Sequence, residues 1–236
     1  MKEENILATI KIDRLKLITY KGQKKKVLRP ICNRYLAKSH IVKCKANNVE
    51  FIYSNFRGSI FNKVKFENCK IKGCDFWGTT FNNCDFSRTE ISNCIFMACK
   101  FTNCNFSNTN INNCVIVNTS LAACRNMDFL DKTTQVYNTY PKAIMTEELK
   151  SVLNQLNDKN SYLRRYKLLH ISDKKYNELN LFLLQQHFSV QDLLILLTEL
   201  QKHPTKRITT YKKLEIQLKK APLLQMGGDY SLIYYV

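Results

Sequence analysis

The residues best suited to chemistry in this chain are its ten cysteines and four histidines. A thiolate can serve as a nucleophile or metal ligand, and an imidazole can carry a proton near neutral pH. Metal sites draw on close pairs such as CxxC or HxxxH, and His40, His170, His187 and His203 form none. The cysteines recur instead at multiples of five, as Cys69, Cys74, Cys84, Cys94, Cys99, Cys104 and Cys114, with Cys44 and Cys124 in the same register. Only Cys32 stands outside it, and its neighbours Pro30-Ile31 and Asn33-Arg34 carry no nucleophile signature. The acids Glu50, Glu67, Asp75, Asp85 and Glu90 offer no evident pair for general acid–base work. No GxSxG, P-loop or GxGxxG is present. The expectation is a protein without a catalytic site, cofactor or metal.

What spaces cysteines by five is a repeat that runs through the middle of the chain. A large apolar residue falls at every fifth position: Phe51, Phe56, Phe61, Phe66, Ile71, Phe76, Phe81, Phe86, Ile91, Phe96, Phe101, Phe106, Ile111, Ile116 and Leu121. Neither the 3.6-residue period of a helix nor the two-residue period of a strand yields this spacing. Two residues before each stands a small side chain, mostly Cys, Thr or Ser. Two residues after stands mostly Asn or Gly, which accept positive φ at a turn. A corner every five residues makes the chain coil. Ile replaces Phe at 71, 91 and 111, and cysteines align at 74, 94 and 114 and at 84, 104 and 124, always twenty apart. Four units per turn stack these into columns, with parallel strands ~4.8 Å apart and nearly four turns of shaft, ~18 Å long.

Runs such as Cys84-Asp85-Phe86-Ser87-Arg88 and Cys104-Asn105-Phe106-Ser107-Asn108 resemble the pentapeptide-repeat proteins, over about a third of the chain. That resemblance implies a right-handed quadrilateral parallel β-helix, followed here by a small α-helical domain. The register places the thiols inside the coil as small buried hydrophobes, which fits a reducing compartment. Disulfides between stacked turns are the rival, since ~4.8 Å lies within the permitted Cα range.

The flanks divide the chain into a basic β-hairpin-like cap over 1–38, a coil over 39–130 and helices over 131–236. Ile10–Ile12 and Leu15–Tyr20 alternate like strands, Lys21–Lys24 reads as a turn, and Lys25–Leu28 returns as a partner strand. Downstream, Thr146-Glu147-Glu148 opens one helix, and Tyr162 to Leu169 continue at helical spacing. Asp173 starts another through Leu183, and Ser189–Asp192 caps a fourth before Leu193–Leu200. A last helix over Ile208–Lys220 ends before Pro222, and Tyr230–Val236 reads as a strand. The helices are expected to bundle and cover the last turn of the coil. No signal-like apolar run follows Met1-Lys2-Glu3-Glu4, and Leu193–Leu197 is too short to span a bilayer, so a soluble, cytoplasmic protein is expected.

The net charge of +18 is uneven: residues 1–48 carry 13 Lys/Arg against 3 acids, and 49–130 carry 8 against 6. Lys24, Lys25, Lys26 and Arg29 belong to a basic cluster that could meet nucleic acid or anionic lipid, although no aromatic residues interleave it. A solvated lysine face protecting a strand edge is the simpler reading. Trp77, next to Phe76, points outward as an interface anchor or as a seat for a flanking segment. The leading functional expectation is a scaffold for a protein partner. Some pentapeptide-repeat proteins are bacterial effectors delivered into host cells, in the host cytosol, and a short coil with a helical module is compatible with that. Others bind DNA gyrase by imitating DNA, which needs an acidic surface that this chain lacks.

Overall fold

A computed structural model describes residues 26–127, 130–203 and 205–224. The strands expected at 10–12, 15–20 and 230–236 lie outside these residues, as do Lys24 and Lys25.

Fourfold corners turn the period of five into a square coil. One face stacks Ile31–Cys32, Glu50–Ile52, Lys70–Lys72, Glu90–Ser92 and Asn110–Asn112, a five-stranded parallel ladder and therefore about five turns. The next face stacks Asp75–Trp77, Ile95–Met97, Val115–Val117 and Gln135–Tyr137, and single bridges carry it back through Asn55 to Tyr35. The third stacks His40–Val42, Ile60–Asn62, Thr80–Asn82 and Lys100–Thr102. The fourth stacks Lys26–Val27, Cys44–Asn47 and Lys65–Glu67. The Asn and Gly expected at corners, from Asn68 and Gly73 to Asn118, do have positive φ.

The coil is longer at both ends than the sequence reading allowed. Lys26–Val27, expected in an antiparallel hairpin, pairs parallel with Cys44–Lys45 as part of the first turn. Ile31, Leu36, Ile41 and Ala46 continue the large register upstream, and Leu36, Ile41 and Ala46 are buried. At the other end Gln135–Tyr137 joins the coil beyond residue 130. Leu121, expected in the core, is only partly buried, because it is the last of its column.

Phenylalanines form three inner stacks. Phe56, Phe76 and Phe96 lie 5.6 and 5.0 Å apart, Phe61, Phe81 and Phe101 5.1 and 4.7 Å, and Phe66, Phe86 and Phe106 4.9 and 4.8 Å, all within 11° of parallel. Ile71, Ile91 and Ile111 fill the fourth column. Neighbouring columns meet edge to face, as Phe76 and Phe81 do at 5.4 Å. Each buried Phe contributes roughly 2–3 kcal/mol.

The thiols do more than fill space. Cys74, Cys94 and Cys114 donate to the carbonyls of Phe51, Ile71 and Ile91 in the preceding turn, at 3.3, 3.4 and 3.6 Å. Thr79 and Thr109 do the same toward Phe56 and Phe86 at 2.9 and 2.8 Å. The same groups accept in return: the Cys74 N–H reaches Cys94 Sγ and the Cys94 N–H reaches Cys114 Sγ, both at 3.4 Å. The hydroxyls and thiols thus add a second bond to carbonyls such as those of Phe56 and Phe86, which already accept from the Ser59 and Thr89 N–H groups. All ten cysteines are free. Burial pushes the Cys94 thiol well up and that of Cys99 to about 12, so neither ionises near neutrality. Alkylation of the native protein is expected to reach Cys32, which is exposed, and slowly the half-buried Cys124. The other eight should react only after denaturation; intact-mass measurement of native protein with more than two adducts would contradict this.

Among its described residues the downstream segment forms five helices: α1 Glu147–Lys159, α2 Ser161–Tyr166, α3 Glu178–Gln185, α4 Val190–Leu200 and α5 Tyr211–Leu224. Thr146 caps α1 by accepting from Leu149 N, and Ser189 with Asp192 makes the expected capping box of α4. Asp173 does not begin a helix. It lies in the turn of an antiparallel hairpin, His170–Ser172 with Lys175–Tyr176, and Asn177 caps α3 instead. Helix α2 ends at Lys167 in a left-handed conformation, before Leu169. Helix α5 runs past position 222 to Leu224, so it does not end before the proline as expected. Among the described residues no single helix is long and apolar enough to cross a membrane.

Candidate functional site: the seam between coil and helices

The helices do not cover the end of the coil. They lie along its side, against the face built from Asp75–Trp77 to Gln135–Tyr137, which turns a continuous run of apolar groups outward at Ile95, Met97, Val115 and Val117. Ile95 and Val117 are buried there with Leu149, Leu153, Leu197 and Leu214 in one core. On the other three faces the corresponding outward positions hold residues such as Lys70, Glu90, Thr80 and Lys65.

Two polar side chains and one backbone carbonyl of the coil fasten the start of α5. Asn55 Nδ2 donates to the Thr209 carbonyl at 3.0 Å, and Thr209 Oγ1 donates to the Tyr53 carbonyl at 2.5 Å. The Asp75 carboxylate accepts the Tyr211 N–H at 2.9 Å. An acid from one unit thus satisfies a free amide at the first turn of a helix in the other, where the helix dipole also favours negative charge. Burial nevertheless dominates, and it pushes Asp75 up to about 7, against the opposing pull of the Tyr211 N–H and the Arg57 guanidinium. Arg57 lies 3.9 Å over the Trp77 ring, with Tyr140 6.3 Å from Trp77, and burial lowers its own pKa. Trp77 is thus half-buried beneath a flanking segment. Tyr35 packs 4.8 Å from Tyr166, further binding the upper turn to α2.

Gly73 lets this seam close. A Cβ there would fall 2.5 Å from the Tyr53 ring, which the Lys213 ammonium holds at 4.4 Å, and 3.4 Å from Lys212 Cβ. Gly78 has the same φ of +61 but open space around it. Gly73→Ala is therefore expected to cost ~1–3 kcal/mol more than Gly78→Ala, read as the difference between their urea midpoints. Equal losses would mean that only backbone strain matters at Gly73.

Below the joint lies a cleft of about 230 Å³ between the coil corner at Asn93 and Asn113 and helices α3 and α5. Glu215 sits in it almost fully buried, paired with Lys212 at 2.8 Å and with Lys219, while His187 Nε2 lies 3.5 Å away. Burial raises the Glu215 pKa, but the two ammoniums more than offset this and hold it below the ordinary value. Burial and Lys219 together lower that of His187.

Of the basic cluster, Lys26 begins the first strand and Arg29 is exposed beyond it. His40 lies on an outer face of the coil, and His170 and His203 lie in the helical domain, His203 with Glu199 at 3.6 Å. Sequence reading singled out Trp77 but not Asp75, Asn55, Thr209 or Glu215. Asp75 did carry a signal, as the acid in an outward column otherwise made of Tyr35, Asn55, Ile95, Val115 and Gln135.

These columns define a class. Residues 46–118 match pentapeptide-repeat families: pentapeptide repeats in nine copies over 46–90, and pentapeptide repeats in eight copies over 81–118. No curated protein sequence matches the chain. Among solved structures, two trypsin-treated variants of QnrB1, a plasmid-mediated fluoroquinolone resistance protein, align over 49% of this chain. They are covered over 92% and 93% of their own chains, at 12% and 11% identity and TM-scores of 0.13 and 0.12.

Proposed function

We propose that the protein is a non-enzymatic scaffold that presents the free faces of its coil, with the helical unit locked alongside, to a protein partner. The observation that carries this reading is the seam: one face of four is spent on the helices, and among the described residues the other three turn mostly polar side chains outward. Their outward columns mix Lys70 and Lys72 with Glu50 and Glu90, and Lys65 with Asp85. Mixed charge of this kind suits side-chain recognition by a folded protein better than imitation of a nucleic acid, which a topoisomerase-directed role would need. The pairing of a short coil with a helical module supports the finer reading of a bacterial effector-type protein. The buried free thiols support work in a reducing cytosol.

The test is proximity labelling with the full chain in the native cell, repeated with one face altered at a time: Lys70→Glu with Lys72→Glu, Lys65→Glu with Lys45→Glu, and Thr80→Arg with Lys100→Glu. A partner lost with one face, at unchanged melting temperature, supports the scaffold. A labelling pattern indifferent to all three faces contradicts it.

A further inference from the structure

We infer that the cleft between the coil and α5 is a binding site for a small phosphate monoester, held by Lys212, Lys219 and His187 against the coil corner at Asn93 and Asn113. The inference goes beyond the scaffold reading, because it concerns the seam and not the free faces.

Lys212, Glu215 and Lys219 follow one another at three and four residues and so share one side of α5. A carboxylate as buried as Glu215, with 3% of its side chain exposed, is costly to hold without partners, and here it has two. Each ammonium carries three donors, and the carboxylate takes one from each. Lys212 and Lys219 keep 27% and 46% of their side chains exposed, and His187 keeps 42%. Glu215 therefore acts as an anchor that fixes two cations side by side at the cleft with donors to spare. Counting the three charged groups leaves an excess of one positive charge, and two with His187 protonated. The opposite wall supplies amide groups from Asn93 and Asn113, both in the left-handed conformation at the corner. Compact point charges on lysine suit a tetrahedral phosphate, and a volume of about 230 Å³ leaves room for a small polar remainder beyond it.

The experiment is calorimetric titration of the full chain with glycerol 3-phosphate at low salt, with acetate as the carboxylate arm. The wild type should bind the phosphate and bind acetate at least tenfold more weakly. Asn113→Asp, on the exposed coil corner, should weaken phosphate binding severalfold without moving the melting temperature. The triple change Lys212→Gln, Glu215→Gln and Lys219→Gln leaves no unpaired buried charge and should weaken binding at least tenfold. The inference is overturned if the wild type does not bind, if acetate binds equally well, or if Asn113→Asp and the triple variant both bind as the wild type does. The last result would place the phosphate elsewhere on this basic chain.

Discussion

Phe81→Ala is expected to lower the unfolding free energy by about 3–5 kcal/mol, measured by urea denaturation followed by far-ultraviolet circular dichroism. Phe81 is 1% exposed and stacks between Phe61 at 5.1 Å and Phe101 at 4.7 Å. It also meets Phe76 and Phe86 edge to face at 5.4 and 5.6 Å. Removing the ring takes away contacts on all sides, and the ladders above and below hold the walls apart, so the hole cannot collapse. Leu121→Ala, at the half-covered end of the same column, should cost less than half as much. Equal losses at the two positions would show that the inner stacks do not govern stability.

The part of the stability linked to Asp75 should fall as pH rises from 4 to 8, and Asp75→Asn should remove that part. The carboxyl has an ordinary pKa of 3.8 and is pushed up to about 7 in the folded chain. Below 3.8 both folded and unfolded states hold the proton. Between the two values only the folded state holds it, and above about 7 the folded state must carry a buried charge. The stabilising contribution is thus complete at low pH and lost as pH rises through about 7. With about three pKa units between the states, the linked free energy is on the order of 4 kcal/mol. Glu215 works in the opposite sense: its pKa is lowered in the fold, so its contribution is present above the ordinary carboxylate value and lost on acidification. The clean measurement is therefore the difference between wild type and Asp75→Asn in urea midpoints across this range. A difference that does not vary with pH would refute the assignment. Asparagine keeps an acceptor for the Tyr211 N–H, so the joint itself should survive the change.

How much of this was legible follows from how local each signal is. The coil announced itself because Phe56, Phe76 and Phe96 repeat a single environment, and twenty residues later the same environment must be filled again. Its ends were harder to see. Ala46 is small for the large register, and Asn126 and Asp131 stand where apolar residues are due, so the period fades before the coil does. Helix α4 was visible through Ser189 and Asp192, a cap written within four residues. Helix α3 was misplaced because Asp173 is equally suited to a hairpin turn, and only the pairing of His170 with Tyr176 decides between them. The seam was least visible. The Asp75–Tyr211 bond joins residues 136 apart, and no local pattern records such a meeting.

Helices lashed along the side of the shaft, and not seated on its tip, change how the molecule comes apart. A bare solenoid melts by fraying, one repeat at a time from an open end, since each repeat leans only on its neighbours. Here α5 and its companions act as a splint: they grip Tyr53, Asn55, Asp75, Ile95 and Val117, which belong to successive turns. No one of those turns can loosen without disturbing the others, so the spliced length should unravel in a single event and stand rigid until it does.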